Sequence, residues 1–563
     1  MKYLLVFLLT SLFFKINVYS NDNFENKLQP EISKVEERYS NKIALGKRMV
    51  VVTANDYATQ AAGKILEMNG NVIDAAVTIQ LILGLVEPQS SGIGGGSFAL
   101  FYDNETKQVL NYEGREKAPY NVNENLFVGK NGKKLPFYDA VLGGISVGVP
   151  GTVDMLFQMH KNHGVLKWED LFLPAIKLAK KGFIPPNRLV KSLQKEKFLI
   201  KQNSEYDYFK KILNNPKKPI TNIEYAKTLE QISKNYRSFY EGNIAKNIVE
   251  KVHSNKTKPG NLSINDLKNY KSSKTEPICQ ELKKFIFCGP DLPSSGGISI
   301  SQLLILYEEL EIEQSDFEFR LSLDLLNFVY MLRNKFLGDD KFVFIDKKKL
   351  LDKEYLKEEF NDFVQERKKV KISYEKPKFS STSHFSIADK YGNVVSMTSS
   401  IENSFGSRLF VNGFLLNNQL TDFDFVPAEG NKFKKNRVQS EKKPLSSMSP
   451  IILLDKERNF IFSSGSPGGI AIIAYVFRSL VDAMYKNIEI PKSLLKGNFL
   501  KIRDKIYLEK KKFDIKEISR SLEIDKKNIF ERNLVSGLAI IKKTKDGYLG
   551  VADHRRDGTS FGK

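Results

Sequence analysis

The stretch Thr382-Ser383-His384-Phe385-Ser386-Ile387-Ala388, followed beyond Lys390-Tyr391-Gly392-Asn393 by Val394-Val395-Ser396-Met397, is where this 563-residue chain changes character. Phe385 and Ile387 before the turn, and Val394, Val395 and Met397 after it, read as the two arms of a β-hairpin. Upstream, from about 150 to 375, apolar residues fall three and four apart, as at 171–181 and 321–336, which is helical spacing. Strand and loop interrupt that run at 279–297. Downstream, strands are expected at 414–416, 451–454 and 460–462. Gly465-Ser466-Pro467-Gly468-Gly469 then breaks the chain before a helix at about 472–484, and strand-like segments at 538–541 and 548–551 follow. Near the start, Val50-Val51-Val52 leads to a helix that opens at Ala58 and stops at Asn69-Gly70. A second helix is expected over 72–85, with Asp74 in its first turn. Two strands at 98–102 and 109–112 meet at Asp103-Asn104. Strands flanked by helices on both sides imply stacked α/β layers.

The bulk properties bound the alternatives. A chain of this length needs two domains or one large layered domain. Hydrophobic residues at 41% and charged residues at 27% are an ordinary globular balance. Met1 and Lys2 precede an apolar run that reaches Phe14, too short for a comfortable membrane span, and Ser20 then precedes polar residues. Residues 1–20 read as a signal peptide, the alternative being a retained anchor, so the expected location is exported, periplasmic or secreted, with no permanent membrane span in the mature protein. The net charge of +21 is spread along the chain without aromatic-interleaved recognition motifs, so it reads as solvated surface and no nucleic-acid partner is expected. Cys279 and Cys288 flank a short strand-like run and are either a disulfide, which export would permit, or two buried thiols.

Several chemistries lack their motifs. Neither Gly92-Ile93-Gly94-Gly95-Gly96 nor the glycines at 465–469 carry the lysine of a phosphate-binding loop, and the first does not join a strand to a helix. No cofactor is expected. The five histidines, His160, His163, His253, His384 and His554, show no convincing metal-ligand spacing, so no metal is expected either. No Gly-x-Ser-x-Gly elbow is present. Adjacent glycines do offer backbone N–H groups suited to an oxyanion hole, although a plain tight turn has the same appearance.

Taken together and in order, a series of blocks resembles the gamma-glutamyltranspeptidase (glutathione hydrolase) family, one of the N-terminal-nucleophile hydrolases. The blocks are Ala58-Thr59-Gln60 through Asp74-Ala75-Ala76, Glu87-Pro88-Gln89-Ser90-Ser91-Gly92-Ile93-Gly94-Gly95-Gly96, Glu113-Gly114-Arg115-Glu116, Pro293-Ser294-Ser295-Gly296-Gly297 and Phe336-Leu337-Gly338-Asp339. The strongest are Thr382-Ser383-His384-Phe385-Ser386, Leu416-Asn417-Asn418-Gln419 with Asp422, Pro444-Leu445-Ser446-Ser447-Met448 and Gly465-Ser466-Pro467-Gly468-Gly469. The resemblance implies a four-layer αββα sandwich formed jointly by a large chain, 21–381, and a small chain, 382–563, after self-cleavage between Ser381 and Thr382. Thr382 would be the nucleophile, with Ser400 where many members carry threonine and with Gly468 and Gly469 as the oxyanion hole.

The resemblance also assigns the substrate end. Arg115, Ser446 and Ser447 would hold the α-carboxylate of a γ-glutamyl small molecule such as glutathione, and Asp422 with Gln419 the α-ammonium. The acceptor would be water, an amino acid or a peptide. Glu402 stands where well-characterised members have asparagine. It keeps alive a related amidase acting on another acyl group, such as glutaryl; an inactive binding homologue is the third reading. A free threonine α-amine, with a reference pKa of about 7.7–8.0, is a fitting base for its own hydroxyl.

Overall fold

The computed structural model describes residues 41–255, 258–314, 318–366 and 381–563. The expected signal segment, the residues from 21 to 40 and the last residues of the expected helical stretch lie outside them. Fourteen strands build the centre. In chain order they are β1 Ile43–Gly46, β2 Val50–Thr53, β3 Gly96–Asp103, β4 Gln108–Gly114, β5 Ser273–Thr275, β6 Ile278–Glu281, β7 Ile286–Gly289, β8 Ser381–Ala388, β9 Val394–Glu402, β10 Ile451–Leu454, β11 Phe460–Ser464, β12 Ala539–Thr544, β13 Gly547–Ala552 and β14 Thr559–Gly562. They form two antiparallel sheets, ordered β1-β13-β12-β11-β10-β7-β6 and β14-β2-β8-β9-β3-β4-β5. Strands from before and after residue 382 interleave in both.

Side-chain alternation sets the layers, because successive strand residues point to opposite faces. Val50 and Val52 join Leu100, Ile452, Leu454 and Ile541 in the core between the sheets. Val51, one residue out of phase, packs instead with Ala62, Ile65 and Ile79 of α1 (Asp56–Glu67) and α2 (Val72–Val86). On the outer face of the other sheet, Phe287, Leu453, Phe462 and Ile540 pack against α3 (Gly296–Glu309), α4 (Glu318–Phe336) and α5 (Ile472–Leu480). The result is the expected αββα sandwich.

Every residue of α2 is buried, which is why its sequence is almost wholly apolar rather than striped. Its start is fixed by a capping box: Asn71 Oδ1 accepts from the Ile73 and Asp74 N–H groups, and Asp74 accepts from the Asn71 N–H. The β8–β9 hairpin turns where Asp389 Oδ1 accepts from the Tyr391 and Asn393 N–H groups and Gly392 takes a φ of +86°.

Two local readings change. The strand expected at 414–416 is only Phe414–Leu415, closed on Phe410–Val411 by Asn412 and Gly413, whose φ values of +50° and +83° make the turn. The helix expected to run to 484 keeps its regular geometry to Leu480 and widens into a π turn over Val481–Tyr485. Cys279 and Cys288 lie directly opposite each other on β6 and β7 and are joined as a disulfide. Among the described residues, no helix is long and apolar enough to cross a membrane, and no cluster could hold a metal ion.

Candidate active site

β8 places Ser381 and Thr382 on opposite faces of its sheet. Ser381 and Ser383 turn toward the α2 side, where their hydroxyls meet Ser90 Oγ at 3.1 Å and Glu87 Oε2 at 3.4 Å. Thr382, His384 and Ser386 turn toward the other sheet, where Ser386 Oγ donates to the Ala539 carbonyl of β12. The β8–β9 register slips between Ser381, opposite Glu402, and Thr382, opposite Ser400. This bulge brings the Ser400 hydroxyl to 2.8 Å from the Ser381 carbonyl oxygen, to which it donates, and to 3.4 Å from Thr382 Oγ1. Such slips re-aim side chains and are frequent beside active sites. The Arg556 guanidinium holds the Thr382 carbonyl on the other side at 3.3 Å.

His384, the histidine nearest to Thr382 in sequence, offers no base at working pH. Burial pushes its imidazole down to about 3, and its ring nitrogens are engaged with Thr398 and Ser386. Its ring also explains Gly465: a Cβ there would lie 2.3 Å from the imidazole, so only glycine lets the 465–469 loop lie against β8. Gly468 and Gly469 follow with φ of +138° and +58°, conformations that glycine alone adopts readily, and lead through a short turn into α5.

A second cluster is tied to the first through Asn418. Its Nδ2 donates to Glu402 Oε2 at 2.5 Å, and its neighbour Gln419 donates to Asp422 Oδ2 at 2.6 Å. Asp422 in turn receives Arg115 Nη2 at 2.7 Å, so the two residues read as opposite ends of a ligand clamp are ion-paired with each other. The remaining Arg115 bonds go to the Pro444 and Leu445 carbonyls and to Glu116. The Arg115 side chain is 1% exposed and that of Asp422 is 23%, so Asp422 is the half of the pair that faces solvent. Burial pushes the Glu116 carboxyl up to about 8, outweighing the attraction of Arg115, and keeps it neutral near pH 7.

The 444–448 strip carries Ser446 and Ser447. The Ser446 hydroxyl accepts from the Met448 N–H, and Ser447 Oγ receives Arg333 Nη2 at 3.0 Å. Arg333, from the last turn of α4, also donates to Ser295 Oγ. Its guanidinium feels both Asp422 and Arg115, and burial lowers its pKa.

The structure therefore joins Thr382, Ser400 and Glu402 to Gln419, Asp422 and Arg115 in one chain of contacts. Ser446 and Ser447 directly follow the Leu445 carbonyl that Arg115 holds. Arg333, Arg556, Asn418 and Glu87 were missed as functional candidates. Arg333 lies in the expected helix at 321–336 and Arg556 beyond the last expected strand, both outside the quoted blocks, and the other two lie inside those blocks without an assigned role.

Comparison with known proteins follows the same outline. The family model described as Gamma-glutamyltranspeptidase matches residues 58–562. The chain is 35% identical over 468 residues to the glutathione hydrolase proenzyme of Bacillus subtilis (strain 168), covering 78% of each chain. It is 30% identical over 463 residues to that of Escherichia coli (strain K12), again covering 78% of each. Cephalosporin acylase from Bacillus halodurans superposes with a TM-score of 0.80 at 21% identity, over 94% of this chain and 98% of that one. Helicobacter pylori gamma-glutamyltranspeptidase does so with 0.50 at 28% identity, over 58% and 93%.

Proposed function

We infer the mechanism from the premise that this chain belongs to the gamma-glutamyltranspeptidase family. It is an enzyme, a γ-glutamyltransferase and glutathione hydrolase that cleaves γ-glutamyl amides through an enzyme-bound ester and passes the group to water, an amino acid or a peptide. In our reading, Thr382 is the nucleophile and the chain cuts itself between Ser381 and Thr382. The observation that carries this is the bulge at that bond, with Ser400 Oγ donating to the Ser381 carbonyl and Thr382 Oγ1 beside it.

Charge develops on the Ser381 carbonyl oxygen as Thr382 Oγ1 adds to its carbon, and a donor already aimed there stabilises that charge without reorganising. Collapse of the adduct expels the Thr382 nitrogen and leaves an ester, which water hydrolyses. The freed α-amine then serves the mature enzyme as base, with Gly468 and Gly469 receiving the oxyanion of the γ-amide. Asp422, Gln419 and Glu402 gather acceptors where a substrate ammonium would bind, and Arg115, Arg333, Ser446 and Ser447 gather donors where its α-carboxylate would bind. A glutaryl group has no ammonium, so the acidic side of this pair favours γ-glutamyl donors. The apolar run at the N-terminus and Ser20 support export, to the periplasm or beyond.

Intact mass and N-terminal sequencing of the purified protein test the cut. Two chains are expected, the smaller beginning Thr-Ser-His, with Thr382→Ala uncut. An uncut wild-type chain would overturn the mechanism. Release of glutamate from glutathione, set against glutaryl amides, tests the donor.

A further inference from the structure

Behind the scissile bond, on the α2 side of β8, lies a cluster of buried polar side chains that the mechanism above does not use. Glu87 ends α2 and is 1% exposed; its Oε2 accepts from Ser383, and its carbonyl accepts from the Ser90 N–H. Ser90 touches Ser381. Ser399 lies directly opposite Ser383 in the hairpin register, and the Gln89 carbonyl receives the Phe405 N–H, drawing Ser404 against the same segment. Across these residues, Glu87 Oε1, both amide atoms of Gln89, and the hydroxyls of Ser91, Ser399 and Ser404 are buried without a hydrogen-bond partner among the described residues. Buried polar groups are almost always satisfied, by protein or by ordered water. A run of them at one place supplies the two to four polar partners that each buried water needs.

We propose that this cluster lines a small chamber holding the water that resolves the Ser381–Thr382 ester, and that Glu87 is the base that takes its proton; the inference rests on the self-cleavage reading above. The water oxygen bonds to the Ser381 carbonyl carbon and gives one proton to the Glu87 carboxylate. The bond from that carbon to Thr382 Oγ1 breaks, and the proton is returned to Oγ1. The products are a Ser381 carboxyl group and a free Thr382 hydroxyl, with Glu87 restored. The chamber and the Ser400 donor lie on opposite sides of β8, so water is delivered on one face while the carbonyl oxygen is held from the other.

The charged groups facing Glu87 are Arg188 from the helix Asn187–Lys195 and Arg556 and Asp557 from the loop between β13 and β14. Burial is the largest influence and pushes the carboxyl up to about 7, against the two arginines. Ester resolution therefore accelerates as pH rises through about 7.

Hydroxylamine tests this, because it attacks an ester directly and bypasses the water. Precursors made by cell-free translation are followed by intact mass, with and without hydroxylamine. Glu87→Gln is expected to mature about 100-fold more slowly, a usual scale for loss of a general base. Hydroxylamine should restore its cleavage and leave a Ser381 hydroxamate, and should flatten the wild-type pH profile near 7. The wild-type profile needs no variant to fold. Glu87→Gln maturing at the wild-type rate, slow cleavage that hydroxylamine does not rescue, or a wild-type profile unchanged by hydroxylamine would each overturn the proposal. A wild-type chain that never cleaves would instead overturn the self-cleavage reading beneath it.

Discussion

Replacing Ser400 by alanine separates the precursor's chemistry from its folding. The hydroxyl makes two contacts of consequence: it donates to the Ser381 carbonyl oxygen at 2.8 Å and accepts the Glu402 N–H at 2.9 Å. Loss of the first removes a donor aimed at developing negative charge, which costs about 100- to 1,000-fold in rate, or roughly 3–4 kcal/mol of barrier. Loss of the second removes a buried hydrogen bond to the Glu402 N–H, at about 1 kcal/mol of stability. Ser400→Ala should therefore remain folded, with a somewhat lower melting temperature, while its precursor persists for hours to days on a scale where the wild type matures in minutes to hours. Ser400→Thr keeps the hydroxyl and should mature within about tenfold of wild type, the reduction reflecting its added methyl in a packed site. The assay is the fraction of uncut chain against time by intact mass, with circular dichroism to show that the fold is kept. A folded Ser400→Ala precursor that matures at the wild-type rate would refute the role given to this hydroxyl.

Other perturbations probe separate parts of the molecule. Asp422→Asn should raise KM for glutathione by about 10- to 100-fold, the scale of one charged hydrogen bond, with a smaller change in kcat, read from initial rates. Glu116→Gln should gain stability relative to wild type as pH rises. The raised pKa means that the wild-type carboxyl contributes fully below about 4.5 and that this contribution is lost by about 8, so denaturant midpoints at pH 5 and 8 should converge in the variant. Paired Cys279→Ser and Cys288→Ser changes should cost about 2–3 kcal/mol for so short a closed loop, measured by urea unfolding. Asn71→Ala should cost about 1 kcal/mol through loss of the α2 cap, by the same measurement.

Local patterns announced much of this fold. The β8–β9 hairpin follows from apolar residues on either side of a glycine turn, α1 from its Asn69-Gly70 stop, α2 from its apolar run with Asp74 in the first turn, and the break at 465–469 from its glycines before α5. The site was legible where short blocks resemble a family and illegible where function depends on distant pairing. The link from Arg115 to Asp422 spans 307 positions and leaves no periodic trace. Arg333 sits near the end of a helix whose spacing speaks only of its buried face, so its guanidinium reads as surface charge until α4 is docked beside Ser447. Glu87 looks like an ordinary helix end. Only three-dimensional packing shows that it is sealed from solvent against Ser383 of β8.

The interleaving of strands across residue 382 has a consequence for the lifetime of the enzyme. After the cut proposed here, no covalent bond would join the pieces, since both disulfide cysteines lie on the same side of it. Each sheet then draws strands from both pieces, so neither piece can leave without the other losing its sheets. Before the cut, all fourteen strands belong to one molecule and find their places at an effective concentration set by the chain itself. Afterwards, reassembly is an encounter between two separate partners and depends on dilution. On that reading the mature enzyme is built once, and its working life is set by how slowly it first comes apart rather than by how well it reforms.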